Sequence, residues 1–259
     1  MRLQKIYEIA DMVAPFALSE EYINKFGEHD NSGIQLDCGK DITGVLFSLD
    51  LSARVVEEAK KVGANCIFTH HPAIWTPVMK LAPNEGADLI VTCLQEGISV
   101  ISAHLNLDAA PEGIDEQLMH GLGGKSALAT MEQLTGGAYG RVYEVEKASL
   151  AAFVENAKKN FGAERVISYG EKPVKRVASF CGGGFTESAV SFALQNGADT
   201  LVSSDGKHHL ILEAVEKGLN VVLLTHYAAE NYGFVRFAEN MKKLLKGTPC
   251  AVFTDERFR

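Results

Sequence analysis

Two stretches of this chain share one outline, and that outline constrains the fold more than any other feature. Residues 52–68, SARVVEEAKKVGANCIF, and residues 186–202, TESAVSFALQNGADTLV, both read as a helix, then Gly-Ala, then an acidic or amide residue and an apolar strand. Gly63 and Gly197 stand where a helix commonly ends on a glycine. Residues 96–104 (EGISVISAH) and 217–226 (KGLNVVLLTH) continue the parallel with helix end, glycine, strand and histidine, after a one-residue shift that superposes the histidines. Any two β-α-β units look alike to this extent, so the outline alone leaves duplication open. The strand ends add weight to it. His104-Leu-Asn-Leu-Asp108 and His226-Tyr-Ala-Ala-Glu230 each place a carboxylate four residues after a histidine that closes an apolar strand.

The rest of the chain alternates in the same way. Strands are expected at 43–49, 65–69, 98–103, 139–146, 164–168, 174–180, 199–203 and 219–224. Helices are expected near 3–14, 52–62, 85–95, 115–121, 149–161, 187–196, 208–217 and 228–246. Such alternation argues an α/β fold with helices packed on mainly parallel strands. In open α/β sheets, ligands bind beyond the carboxyl ends of strands. Two such ends, facing each other across a pseudo-twofold, would share one cleft.

Composition narrows the function. A chain of 259 residues is one large domain or two small ones. The net charge of −8 argues against a nucleic-acid-binding body, which needs clustered Lys and Arg. It leaves room for a small anionic substrate, because a bound cation inverts the local field. No apolar run approaches the ~18 residues of a membrane span. Near the N-terminus, Leu3, Ile6, Ile9, Ala10 and Val13 are spaced for an amphipathic helix, with Glu8 and Asp11 interrupting any signal-like core. The five cysteines, Cys38, Cys66, Cys93, Cys181 and Cys250, form no CxxC pair. Cys66 and Cys93 sit in apolar runs and read as buried, reduced thiols, which points to a cytoplasmic protein.

The chemistry gathers at strand ends. In FTHHPAIW (68–75), His70 and His71 follow an apolar run, and adjacent strand residues point to opposite faces. Together with His104, Asp108, His226 and Glu230 they make a thiolate-free set suited to Zn, Fe, Mn or Co. Carboxylates can bridge a pair of cations about 3.5–4 Å apart.

These residues belong to a wider pattern: Asp30-Asn31-Ser32-Gly33-Ile34-Gln35, Thr69-His70-His71-Pro72, the segment from His104 to Asp115, Asp205-Gly-Lys-His-His209 and His226-Tyr-Ala-Ala-Glu230. In order and over nearly the whole chain, the pattern resembles the Nif-three-like family of dinuclear-metal proteins, catalogued as type 2 GTP cyclohydrolase I homologues. The resemblance implies metal ligands at His70, His71, Asp108, His226 and Glu230. Each of the paired histidines would serve one of two divalent ions per subunit, with Asp108 and Glu230 linking them. Pro72 restrains His71 toward extended geometry, which suits that reading.

The resemblance also implies two similar α/β halves around a metal cleft, with no inserted domain. Residues 1–128 would carry His70, His71 and Asp108, and residues 129–259 would carry His226 and Glu230. Self-association into a homohexamer is implied as well. For activity, the resemblance implies a metal-dependent hydrolase acting on a nucleotide or related substrate, by attack of water at the imidazole C8 of GTP with release of formate. His104 and His209 are then candidates for moving protons. A non-catalytic role in metal binding, delivery or regulatory interaction needs the same ligands. The chain departs from the family where relatives read Thr-Gly-Asp and this one has Ser203-Ser204-Asp205, at Cys181-Gly182-Gly183-Gly184, and in the ending FTDERFR.

Other features have simpler readings. The Cys181–Gly184 turn lacks the lysine of a phosphate-binding loop and reads as a tight turn with Thr186 capping a helix. Tyr227 and Tyr232 read as packing residues, His208 as exposed, and Lys242, Lys243 and Lys246 as a solvated helix end. Trp75 admits stacking on a substrate base or packing over the site.

Overall fold

Short runs buried on both faces dictate the sheets. The computed structural model describes residues 1–81 and 88–259. Its strands are β1 (Gly33–Leu36), β2 (Val45–Ser48), β3 (Cys66–Thr69), β4 (Ser99–Ser102), β5 (Ala129–Leu134), β6 (Gly137–Ala148), β7 (Val166–Tyr169), β8 (Val174–Ser179), β9 (Thr200–Ser203), β10 (Asn220–Leu224) and β11 (Cys250–Val252). Its helices are α1 (Leu3–Val13), α2 (Ala17–Phe26), α3 (Ala53–Val62), α4 (Asp88–Glu96), α5 (Leu105–Ala109), α6 (Ile114–Gly121), α7 (Leu150–Phe161), α8 (Glu187–Gln195), α9 (His208–Glu216) and α10 (His226–Leu244). The start of the helix expected at 85–95 lies outside the described residues. Among the described residues, no helix is long and apolar enough to cross a membrane.

The first compact unit comprises Met1–Ala110 and Phe234–Thr254. Its sheet runs β1-β4-β3-β2-β11, with β4, β3, β2 and β11 parallel and β1 antiparallel on the β4 edge. Every residue of β2, β3 and β4 is buried, as in a sheet covered on both faces. Helix α3 starts at Ser52, whose Oγ accepts from the Val55 N–H, and stops at Gly63 with φ 72°. Its Val55, Val56 and Ala59 pack in one cluster with Leu46, Ile67 and Val100. Phe237 of α10 joins the stacked pair Phe47 and Phe68.

The second unit comprises Pro111–Gly233 and Asp255–Arg259, on a sheet ordered β5-β6-β8-β9-β10-β7. Strands β8, β9 and β10 are parallel, while β5, β6 and β7 join antiparallel. The expectation of mainly parallel strands therefore holds for the first sheet and not for the second.

Taken separately, the two units repeat one motif. Each has three parallel strands in consecutive order, β2-β3-β4 and β8-β9-β10, and an earlier strand antiparallel to the third, β1 and β7. Thr186 caps α8 through the Ala189 N–H as Ser52 caps α3. Ala64 N donates to Ala59 O at 2.8 Å and Ala198 N to Ala193 O at 3.0 Å, closing the two helices alike. Asn65 and Asp199 then use side-chain oxygens to hold the backbone N–H groups of Thr43 and of Lys175 and Arg176. The amide-or-acid position noticed in the sequence is thus a backbone acceptor in both units.

Neither compact unit is contiguous in sequence. Helix α6, at 114–121, packs against β6 and β8 and so belongs with the second sheet. The segment 234–254 returns to the first unit, because β11 pairs with β2 and Phe237 meets Phe47 and Phe68. His70, His71 and Asp108 still fall in the first unit and His226 and Glu230 in the second. The region 125–180 supplies β5, β6, α7, β7 and β8 to the second unit rather than an inserted domain.

Candidate functional site

In the first unit, three strand ends supply polar groups: Asp50 after β2, His70 and His71 after β3, and His104 with Asp108 after β4. The chain has already turned at the histidine pair. The backbone N–H groups of His70 and His71 both donate to Leu49 O, each at 3.1 Å. Thr69 Oγ1 donates to His71 O at 2.8 Å. Strand alternation therefore no longer separates the two imidazoles, and their ring centroids lie 4.8 Å apart. His70, His71 and His104 bring ligand-capable atoms within 4.8 Å of one another.

Each of these rings is oriented through Nδ1. His70 Nδ1 lies 2.8 Å from Ala103 O, a carbonyl that can only accept, so Nδ1 carries the proton. His71 Nδ1 lies 2.6 Å from Asp50 Oδ1, and His104 Nδ1 lies 2.9 Å from Asp30 Oδ1. In each ring Nε2 is then the nitrogen left for another partner. His70 Nε2 meets Asp108 Oδ1 at 3.5 Å, both side chains being buried.

Asp108 reaches this position through a single turn. Helix α5 begins at His104, whose carbonyl accepts from Leu107 N and Asp108 N. Asn106 fixes the turn by donating its Nδ2 to Ala14 O at 2.7 Å and its N–H to Ser19 Oγ at 2.9 Å. Burial by itself would raise the Asp30 pKa, but hydrogen bonds from His104, Ser19 and Ser32 outweigh it and hold the carboxyl at about 2. Asp30 is accordingly an anion beneath His104.

The second unit repeats the arrangement with different residues. Asp205 follows β9, and its Oδ2 lies 2.6 Å from His226 Nδ1. His226 opens α10, so Glu230 stands one turn further on the same face, with Oε2 3.0 Å from His226 Nε2. Glu230 is buried although it is acidic. After β8, the Cys181–Gly184 turn passes directly over this pair. A Cβ on Gly182 would lie 2.5 Å from Glu230 Oε1 and 3.5 Å from His226 Nε2, and Gly182 has φ +56°. Behind the turn, fully buried Asp115 accepts from Cys181 N at 3.3 Å and Gly140 N at 3.0 Å, and pairs with Arg141.

Four imidazoles in two units thus share one setting, Nδ1 bound to an acceptor and Nε2 directed elsewhere. That is how proteins orient histidine ligands, the acceptor fixing the tautomer and raising the basicity of the other nitrogen. The electron-rich contact of His70 Nε2 with Asp108 Oδ1 suits a divalent cation of the Zn, Fe, Mn or Co class. The donor set fits a metal.

The sequence named the ligand-type residues but not their supports. Asp50 carries no local signal, and Asp30 and Asp205 were parts of motifs without a role. Gly182 read as a turn residue, whereas its left-handed backbone and its approach to Glu230 both disfavour a side chain there. His209 is exposed on the first turn of α9, outside these clusters. Thr186 caps α8, His208 is exposed, and Tyr227 and Tyr232 pack against Phe258 and Phe161, as expected. Cys66 and Cys93 are buried free thiols, with burial pushing the Cys93 pKa up to about 11.

The chain as a whole is similar to known proteins. The chain is 28% identical over 252 residues to a GTP cyclohydrolase 1 type 2 homolog of Clostridium perfringens, covering 95% of this chain and 93% of that one. It is also 28% identical to the NGG1-interacting factor 3 of Saccharomyces cerevisiae, covering 89% and 88%. The crystal structure of Staphylococcus aureus hypothetical protein SA1388 superposes with a TM-score of 0.86 at 26% identity, over 100% of this chain and 99% of that one. The family model described as Duf34/NIF3 (NGG1p interacting factor 3) matches residues 1–256, and the chain belongs to that family.

Proposed function

We propose that the chain holds two divalent cations through His70, His71, Asp108, His226 and Glu230, and that it hydrolyses a nucleotide or related small anionic substrate. One observation carries the reading. Every imidazole in this set has Nδ1 bonded to a carbonyl or carboxylate, which supports Nε2 as the ligating nitrogen. The relative named GTP cyclohydrolase 1 type 2 homolog supports a purine nucleotide as the substrate class. Bound cations supply Lewis acidity and ease the deprotonation of an attacking water.

The chain's own residues supply orientation and proton movement. Asp50, the Ala103 carbonyl and Asp205 set the ligand rings. Asp30 holds His104 as the Nδ1–H tautomer, so that its Nε2 can accept a proton from water and return it to a leaving group. His209 is the alternative proton carrier in this proposal. Self-association into a homohexamer belongs to the same reading, and light scattering of the purified chain tests it.

Elemental analysis of protein purified without chelators should find about two divalent ions per chain, and His70→Ala and Glu230→Gln should each lower that content. With the metal restored, GTP and related nucleotides should be turned over. A chain without stoichiometric metal sinks the proposal. The name of the yeast relative favours a second reading, a metal-holding interaction protein. Full metal content, with no turnover of a nucleotide panel and transfer of the metal to an apo-acceptor, would select it.

A further inference from the structure

We infer that Trp75 is a stacking platform for a planar heteroaromatic ligand of nucleobase type, set beside His104. The inference deepens the nucleotide reading above and rests on it for the role of the neighbouring metal ligands.

Trp75 is 46% exposed, a costly place for the largest apolar ring. It is nonetheless held firmly. Asn31 Nδ2 donates to Ile74 O at 2.6 Å, Ile74 N donates to Gln35 Oε1 at 3.1 Å, and His29 Nε2 lies 2.7 Å from Trp75 O. Gln35 in turn donates to Asn31 O at 2.5 Å, bracing the two amides against each other. Three side chains from residues 29–35 thus clamp the backbone of residues 74–75.

The clamp fixes the indole relative to the site. Its centroid lies 5.4 Å from that of His104 at an interplanar angle of 84°, and 5.2 Å from that of His29 at 87°. His104 is itself fixed by Asp30 and lies within reach of His70 and His71. An aromatic surface rigidly set next to a proton-carrying imidazole and a set of metal-type ligands suits a substrate whose reacting atom belongs to a flat ring. Such stacking tolerates any base, because every base has a π-face. Asn31 and Gln35, which stand in the Asp30–Gln35 motif noticed in the sequence, thereby acquire a function.

Trp75 is the single tryptophan of the chain, so its emission reports on this position alone. The test uses the full-length protein saturated with Zn, titrated with guanosine, GMP and ribose 5-phosphate. Guanosine and GMP should quench the emission saturably, whereas ribose 5-phosphate should leave it unchanged. By calorimetry, Trp75→Ala should weaken GMP binding roughly tenfold or more with metal content unaltered, and Trp75→Phe should restore most of the affinity. Equal responses to GMP and ribose 5-phosphate, no response to any probe, or wild-type GMP affinity in Trp75→Ala would each overturn the inference. Quenching by GMP without turnover would remove the hydrolase reading and leave the platform standing. Turnover without quenching and without an effect of Trp75→Ala would remove the platform alone.

Discussion

His104 Nδ1 and Asp30 Oδ1 lie 2.9 Å apart although 74 residues separate them in the chain. The same carboxylate accepts from Ser19 Oγ and Ser32 Oγ, each at 2.6 Å. Its pKa near 2 lies below the ordinary value of 3.8, so it stabilises the fold most where it is ionised. That contribution, about 2 kcal/mol, is complete above about pH 5 and is lost as pH falls towards 2. Asp30→Asn should therefore be less stable than wild type at neutral pH, with the gap closing on acidification. Denaturant titrations of the metal-free proteins at several pH values would show it. A gap that stays constant with pH would refute the assignment.

Asp205 backs His226 from an exposed position, so its removal should leave the fold intact. Asp205→Asn is expected to weaken metal binding by about 10- to 100-fold with an unchanged circular dichroism spectrum. Competition against a chelator of known affinity measures the effect. Unchanged affinity would mean that His226 is not a ligand.

Gly182 and Gly183 are adjacent and should respond differently. Alanine at 182 would combine a left-handed backbone, at roughly 1–2 kcal/mol, with a methyl group 2.5 Å from Glu230 Oε1. A Cβ on Gly183 would meet nothing within 4 Å. Gly182→Ala should lower both stability and bound metal, and Gly183→Ala neither. Thermal melts with metal analysis on the two variants would separate them.

Asp115 and Arg141 form a buried pair that also anchors the Cys181 turn. Removing one partner strands the other charge, so Asp115→Ala should cost about 3–5 kcal/mol in urea unfolding. The double variant with Arg141→Met should recover part of that loss. Additive losses would show that the two charges do not act as a pair.

The strands that escaped the sequence reading share a physical reason. Strands β1, β5 and β11 are sheet edges with mostly half-buried or exposed residues, so no continuous apolar run marks them. Helix α5 is five residues long, too short for a periodic signal, yet it carries Asp108. The inner strands β2, β3, β4, β9 and β10, buried along their whole length, were legible to within a residue or two.

The sequence by itself determined what lies within a few residues of chain: the α/β alternation, the helix ends at Thr186, Gly63 and Gly197, the repeated outline of the two units, and the histidines and acids at strand ends. These follow from periodicity and local hydrogen bonding, which contiguous residues specify. Only the tertiary structure decided which carboxylate stands behind which imidazole, Asp30 with His104, Asp50 with His71 and Asp205 with His226. It also decided that residues 234–254 return to the first unit and that glycine is required over Glu230. The reason is geometric. Loops at neighbouring strand ends meet because the strands pair, and strand pairing brings together residues that sequence distance leaves unrelated.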